Sequence, residues 1–145
     1  MERPEDRKQL ARQRPRRPAA DVNGVDVWVP NFSGNNLMRI NADTMTTTYY
    51  PAPRVGMNPY MAAGDSSHNV WVSFLGGDEV GKFDPRTEEW TLYSWPSRGT
   101  ALRNLGMVDH NGIVQVVGAY FNAARVGRMV MRTERDMQAL RTRAQ

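Results

Sequence analysis

The sequence contains no cysteine and no long apolar run. Without cysteine there is neither a disulfide framework nor a thiolate metal site. No apolar stretch approaches the ~20 residues of a membrane-spanning helix, and charges occupy the place of a signal peptide's apolar region. We therefore expect no membrane contact. The compartment stays unknown, and an exported parent protein is compatible with these absences.

The net positive charge of the chain arises entirely from its first 20 residues. The formal net charge is +4 over 145 residues, and residues 1–20 carry seven basic and three acidic side chains, so the remainder is neutral. An Arg-rich segment attracts phosphates, but no aromatic side chain is interleaved here to stack on bases. We predict a disordered basic arm over residues 1–22, of which residues 1–20 are dispensable for stability. A nucleic-acid partner is not expected.

The rest of the chain contains an internal repeat with an offset of 43 residues. DVWV at 26–29 returns as NVWV at 69–72, and LMRIN at 37–41 returns as VGKFD at 80–84. A weaker third copy follows, in which Gln115 takes the place of the tryptophan. A fixed period of this length is typical of propellers and other repeat architectures.

Each repeat contains short segments with the pattern of β-strands. Val70, Val72 and Phe74 alternate with Trp71 and Ser73, which is the period of two of a pleated strand. The four segments of the second copy cover about residues 60–64, 69–75, 79–84 and 89–95. Four strands in about 40 residues form one blade of a β-propeller. A small sandwich or barrel is the alternative.

The chain supplies about two and a half four-stranded blades. Residues 26–50 provide three strands, residues 60–95 a complete blade and residues 103–131 three strands. The predicted fold class is all-β, a partial β-propeller over residues 23–131 followed by a short C-terminal helix within residues 132–145. Since propellers close with about four to eight blades, we expect the missing blades to come from a longer parent chain or from other copies of this chain.

The repeat resembles the virginiamycin B lyase family, also called streptogramin B lyases. The resemblance is carried by NVWV at 69–72, VGKFDP at 80–85 with Thr87, WTLY at 90–93 and NPY at 58–60. It implies a seven-bladed bacterial parent. For an active enzyme it implies a carbon–oxygen lyase that opens a cyclic depsipeptide antibiotic by Mg²⁺-assisted elimination and so confers antibiotic resistance. In the family, a histidine and a glutamate near the channel transfer the protons.

The positions that match the family's catalytic motif lack its proton-transfer groups. The family motif is of the type Glu-Pro-His-Gly, whereas this chain has NPYM at 58–61 and, one blade later, LRNL at 102–105. A tyrosine, with an ordinary pKa near ~10, is a poor base, and an arginine stays protonated. We therefore expect no catalytic residue, metal ligand or cofactor in this chain. The resemblance leaves a catalytic site and Mg²⁺ open for the missing blades of the complete parent.

Four side chains are candidates for lining the channel: Tyr60, Arg103, Asn58 and Asn104. Tyr60 and Arg103 are 43 residues apart and begin the innermost strand of their blades, where side chains face the channel. A phenol and a guanidinium together can hold a carboxylate or a phosphate. The competing interpretation is that they fill polar space at the channel mouth.

These features predict a ligand-binding or interaction scaffold without catalytic groups of its own, whose ligand is a small anion or a peptide. The alternative is part of a Mg²⁺-dependent lyase. His68 and His110, the only histidines, precede strands and are predicted to be exposed turn residues at the rim. The four tryptophans are predicted to pack between blades: Trp28, Trp71, Trp90 and Trp95.

Overall fold

The computed structural model describes residues 13–110 and 113–143, and these contain eleven β-strands and one α-helix. The strands are β1 (Ala19–Ala20), β2 (Asp26–Asn31), β3 (Asn36–Asn41), β4 (Thr47–Pro51), β5 (Pro59–Gly64), β6 (Val70–Phe74), β7 (Glu79–Asp84), β8 (Glu89–Ser94), β9 (Leu102–His110), β10 (Ile113–Tyr120) and β11 (Arg125–Val130), and the helix is α1 (Glu134–Arg143). The helix found in this part of the chain is too short and too polar to cross a membrane.

The strands form three antiparallel sheets that follow one another along the chain. Blade 1 has the order β1-β2-β3-β4, blade 2 the order β5-β6-β7-β8 and blade 3 the order β9-β10-β11. The prediction of an all-β partial propeller is confirmed. Blade 1 differs from the expected three strands, because the two-residue strand β1 pairs with β2 and adds a fourth.

The alternation of side chains along β6 divides them between two interfaces. Val70, Val72 and Phe74 join a buried cluster with blade 1, whose members include Trp28, Leu37 and Tyr50. Trp71 points to the opposite side and joins a second cluster with blade 3, whose members include Trp95, Leu102, Leu105 and Val116. The core of the molecule therefore lies between successive blades, as the period of two requires.

Trp28 and Trp71, which the repeat makes equivalent, have matching surroundings. Each is 1% exposed. Each indole N–H donates to the carboxylate of an aspartate in the preceding turn, Trp28 to Asp21 at 3.4 Å and Trp71 to Asp65 at 2.8 Å. The other two tryptophans also lie at the blade interfaces, Trp90 against the first cluster and Trp95 in the second. The predicted packing of all four is confirmed.

The described part of the predicted arm lies along the inner edge of blade 1: it contains β1 and, before it, Pro15 and Arg17, which form isolated bridges to Asn31 and Met61. The Arg16 backbone N–H donates to the Pro30 carbonyl at 2.8 Å. Arg17 bridges to the neighbouring blade in parallel: its N–H donates to the Tyr60 carbonyl, and its carbonyl accepts from Ala62, both at 3.1 Å. The prediction of disorder is therefore wrong for this part. Composition suggested a solvated tail, but the backbone hydrogen bonds of a strand do not depend on apolar side chains.

Deleting residues 1–20 is expected to lower the free energy of unfolding by about 2 to 6 kcal/mol, since backbone hydrogen bonds contribute about 0.5 to 1.5 kcal/mol each. The deletion removes at least four such bonds, which Arg14, Arg16 and Arg17 make with blades 1 and 2, and it also removes the pairing of β1 with β2. The matched comparison deletes residues 1–12, which lie outside the described residues and whose dispensability stays a prediction. Denaturant titrations followed by tryptophan fluorescence measure both. Equal stability of the two deletion variants would contradict a role for the strand.

The predicted C-terminal helix is present as α1 and begins with a reciprocal cap. The Asp136 N–H donates to Thr133 Oγ1 at 3.2 Å, and the Thr133 N–H donates to Asp136 Oδ2 at 2.9 Å. Such a cap satisfies two of the N–H groups that a helix start leaves unpaired. Met137 and Leu140 form its apolar side and remain 38% and 40% exposed.

Candidate functional site

The two central candidates of the sequence, Tyr60 and Arg103, are in direct contact. Tyr60 lies in β5 and Arg103 in β9, the innermost strands of blades 2 and 3. Arg103 Nη2 donates to Tyr60 Oη at 2.8 Å, and the guanidinium carbon lies 5.2 Å from the centroid of the phenol ring. The repeat thus places a phenol and a guanidinium side by side at the start of two neighbouring blades.

A cavity of about 390 Å³ opens beside this pair. Its lining includes Ala101, Asn122 and six further residues: Arg16, Phe32, Tyr60, Leu75, Arg103 and Phe121. Its volume lies within the range of small-molecule sites, about 300 to 1,000 Å³. Each of the three blades contributes two of these six residues.

The six residues occupy equivalent positions in the three blades. Three matching pairs join the end of each blade's second strand to the segment on its inner side: Pro15 with Asn31 in an isolated bridge before β1, Pro59 with Phe74, and Leu102 with Tyr120. The residue that follows each member of a pair lines the cavity. The repeat therefore produces two rows. The inner row is Arg16, Tyr60 and Arg103, and the apolar row is Phe32, Leu75 and Phe121.

Five of these side chains form an alternating series of rings and guanidinium groups, which we call the aromatic-arginine array: Phe32, Arg16, Tyr60, Arg103 and Phe121. The Arg16 guanidinium carbon lies 5.1 Å from the Phe32 centroid and 5.5 Å from the Tyr60 centroid. The Arg103 carbon lies 5.2 Å from the Tyr60 centroid and 4.8 Å from that of Phe121. Such cation–π contacts stabilise by about 0.5 to 1 kcal/mol at exposed sites. They orient both guanidinium groups.

The array is strongly positive. Arg17 adds a third guanidinium 5.5 Å from the Tyr60 centroid, and the cavity lining contains no carboxylate among the residues that the structure describes. The hydrogen bond from Arg103 lowers the pKa of Tyr60; partial burial opposes this shift, and the charges of Arg103, Arg17 and Arg16 add to it. Arg16 Nε is buried and has no hydrogen-bond partner within residues 13–110 and 113–143.

Comparison with known proteins identifies the fold. The sequence matches no protein-family model, and no curated protein matches it significantly. A streptogramin B lyase structure superimposes with a TM-score of 0.68 at 15% identity, covering 81% of this chain and 39% of that chain. Virginiamycin B lyase from Staphylococcus aureus gives 0.69 at 21% identity, with 83% and 38% covered. The chain has the fold of part of a virginiamycin B lyase propeller.

A third solved structure agrees with this identification. It is a catalytically inactive histidine-to-alanine variant of virginiamycin B lyase from Staphylococcus aureus with quinupristin, at a TM-score of 0.60 and 17% identity. The superposition covers 82% of this chain and 42% of the virginiamycin B lyase variant. This chain therefore spans about two fifths of the length of the propellers that it matches. At these identities the likeness concerns the fold.

The other two candidates from the sequence, Asn58 and Asn104, do not belong to the array. Asn58 adopts a left-handed backbone conformation, φ 53°, in the turn before β5. Its N–H donates to Asn35 Oδ1 and its carbonyl accepts from the Leu75 N–H, both at 3.1 Å, so it stabilises this turn. Asn104 follows Arg103 on β9 and therefore faces the other way, into a separate cavity. That these two residues line the channel of a complete propeller stays a prediction.

Sequence reasoning missed Arg16, Phe32 and Phe121. Arg16 precedes Tyr60 by 44 residues, the same offset that relates Asp21 to Asp65, so the repeat contained the signal. It was overlooked because the composition of the arm indicated disorder. The two phenylalanines follow the second strand of their blades, where the sequence offers no sign that they face a cavity.

The two histidines are exposed, as predicted. His68 has a left-handed backbone, φ 64°, and its side chain is 52% exposed. Its Nδ1 lies 2.8 Å from Asp21 Oδ1, so it links the turn before β6 to blade 1. His110 is exposed at the end of β9, in a strand rather than in the predicted turn. Within the described ranges, 13–110 and 113–143, no three His, Asp or Glu side chains are grouped to hold a metal ion.

We expect Tyr60 to lose its proton below the ordinary phenol pKa of about 10, because the lowered pKa reflects the Arg103 hydrogen bond and the nearby positive charges. Replacing Arg103 with glutamine should move this ionisation to higher pH. Ultraviolet difference titration of the native chain measures the effect. Tyr60→Phe should remove the ionisation that moves in Arg103→Gln, whereas Tyr49→Phe, which removes an exposed phenol of β4, should leave that ionisation in place. An unchanged titration in Arg103→Gln would contradict the assignment.

Proposed function

We propose that this chain is part of a β-propeller that binds a small anionic ligand at the aromatic-arginine array and supplies no catalytic groups of its own. The proposal rests on one observation. Arg103 and Arg16 border the same cavity on either side of Tyr60, without a carboxylate among the described lining residues to neutralise them. Guanidinium groups that border a cavity without a carboxylate in its lining favour a ligand that carries a carboxylate or a phosphate.

The geometry suits an anion that binds the edges of the guanidinium groups. Stacking on an aromatic ring uses the face of a guanidinium and leaves the N–H donors in its plane. Tyr60 Oη engages one donor of Arg103, so the orientation of that fork is set before a ligand arrives. Side chains held in advance lose less conformational entropy on binding. A small anion therefore meets preorganised donors.

A titration with sodium acetate and inorganic phosphate, followed by ¹⁵N–¹H correlation spectra, tests the proposal. We expect the backbone amides near Tyr60 and Arg103 to shift in a saturable manner. Arg103→Gln should weaken binding about tenfold or more, because a hydrogen bond to a charged group contributes about 1.5 to 3 kcal/mol. The matched control is Arg125→Gln, which removes an exposed guanidinium at the start of β11 and should leave binding unchanged. Spectra without saturable shifts, or shifts that survive Arg103→Gln, would overturn the proposal.

We also propose that further blades cover the outer face of blade 3, contributed by a longer parent chain or by other copies of this chain. The register places Val117, Ala119 and Val126 on that face, beside a cavity of about 460 Å³. Val126 is 72% exposed there, and Val108 on the same face is 51% exposed. By contrast, the faces of blades 1 and 2 that are followed by another blade are buried, the first against blade 2 and the second against blade 3.

Light scattering after size-exclusion chromatography distinguishes the two sources of the covering blades. If copies cover the face, the molar mass is a multiple of 16.4 kDa, and Val126→Asp reduces it to that of one chain. The molar mass of one chain at all concentrations would reject association between copies. The covering blades would then come from a longer parent chain, and a polypeptide extended by further repeats should be more stable than this one. If the extended polypeptide is no more stable, coverage by blades of a longer parent chain would be rejected as well.

A further inference from the structure

The cavity at the array has two chemically different sides. The inner row presents Arg16, Tyr60 and Arg103, and the apolar row presents Phe32, Leu75 and Phe121. An acetate or phosphate would fill a small fraction of the cavity volume of about 390 Å³. It would also leave the apolar row in water. The site therefore fits a ligand with an acidic end and an apolar end.

The outer member of the apolar row indicates the shape of the apolar end. Phe121 is 64% exposed, although one side of its ring contacts the Arg103 guanidinium. Phe32 is half-buried and lies edge-on to Tyr60, with ring centroids 6.2 Å apart. Aromatic rings prefer offset-stacked or edge-to-face contacts with other rings, which stabilise beyond the burial of area alone. Two accessible rings at matching positions favour a flat partner.

We propose that the array binds an aromatic carboxylate. Its carboxylate accepts hydrogen bonds from the N–H groups of Arg16 and Arg103, and its ring packs against Phe121 and Phe32. This inference rests on the proposed function, since it requires that the array binds an anion, and it adds the class of ligand. Arg16 and Arg103 both line this cavity, so their terminal N–H groups are the donors that the carboxylate would engage.

Three acids separate the contributions of charge, apolar volume and aromaticity. Acetate has the carboxylate alone, cyclohexanecarboxylate adds an apolar ring of similar size to benzene, and benzoate adds a flat aromatic ring. We expect benzoate to bind about three- to tenfold more tightly than cyclohexanecarboxylate, as the added stabilisation of an aromatic pair implies. Acetate should bind most weakly. Calorimetry or ¹⁵N–¹H spectra measure the three dissociation constants on the full chain.

Variants locate the effect. Phe121→Leu keeps an apolar side chain and should abolish most of the preference for benzoate, while changing the affinity for cyclohexanecarboxylate by no more than about twofold. Because Phe121 is 64% exposed, the variant is expected to fold, which tryptophan fluorescence verifies. Phe32→Leu is the second variant and should also reduce the preference. Arg103→Gln should weaken all three acids.

The outcomes distinguish this inference from the proposed function. Equal affinities for the three acids, all reduced by Arg103→Gln, would overturn the aromatic ligand and leave anion binding intact. Equal affinities for benzoate and cyclohexanecarboxylate, both above acetate, would also overturn aromatic recognition. Absence of binding by all three acids would overturn both proposals. If the preference for benzoate persists in both Phe121→Leu and Phe32→Leu, the benzoate ring does not pack against these two side chains, and the proposed site is rejected.

Discussion

Replacing Trp71 with alanine is expected to lower the free energy of unfolding by about 3 to 5 kcal/mol, the usual cost of truncating a buried aromatic side chain to alanine. Trp71 is 1% exposed and stacks on Tyr93, with ring centroids 5.6 Å apart. It lies between blades 2 and 3, so the cavity left by the change weakens the contact between blades. The variant also leaves a carboxylate oxygen of Asp65 without its indole donor.

Two further variants make the test of Trp71 specific. Trp28→Ala should cause a loss of similar size, because the repeat gives Trp28 the same burial and the same type of aspartate partner. Val55→Ala, at a side chain that is 98% exposed, should change stability by no more than about 0.5 kcal/mol. Urea titrations of the three variants provide the free energies. A loss below about 1 kcal/mol for Trp71→Ala would contradict the interface between blades 2 and 3.

The second large effect concerns catalysis. Incubated with a streptogramin B-type cyclic depsipeptide and Mg²⁺, this chain is expected to yield no linearised product above background. The positions that match the family's catalytic motif contain Tyr60 and Arg103, and a missing general acid or base commonly reduces a rate by about 10² to 10⁴. Arg103 cannot accept a proton, and Mg²⁺ cannot replace a base. Mass spectrometry of the antibiotic detects ring opening.

The lyase assay requires a chain that is verifiably folded and an active virginiamycin B lyase as the positive control. Turnover above background would contradict a purely binding role and would favour the alternative of a lyase segment. In that case Tyr60→Phe tests the phenol as the base, because the Arg103 hydrogen bond already lowers its pKa. A rate unchanged by Tyr60→Phe would locate the chemistry at other residues.

Much of the fold was predictable because repeats and alternation are local properties of a sequence. The strands predicted at about 60–64, 79–84 and 89–95 correspond to β5, β7 and β8 within a residue or so. The arm was the exception. Its composition resembles that of disordered segments, yet Arg17 lies on β5 through backbone hydrogen bonds, and composition carries no information about a neighbouring strand.

The candidate site was predictable only in part. The offset of 43 residues paired Tyr60 with Arg103, and the structure brings them to 2.8 Å. The same reasoning also selected Asn58 and Asn104. The backbone of Asn58 makes hydrogen bonds that stabilise its turn. Asn104 lies on the face of β9 opposite to Arg103, because adjacent residues of a strand point to opposite sides.

By itself the sequence determined the propeller repeat, most of its strands and the packing of the four tryptophans between blades, because the offset of 43 residues and the alternation of period two are local properties of the sequence. Only the tertiary structure decided the composition of the array. Arg16, Tyr60 and Arg103 meet because β5 lies beside β9 on one side and beside the segment that precedes β1 on the other. Phe32 and Phe121 reach them because the second strands of blades 1 and 3 end beside these inner segments. These contacts join residues more than 15 positions apart, so local pattern cannot specify them.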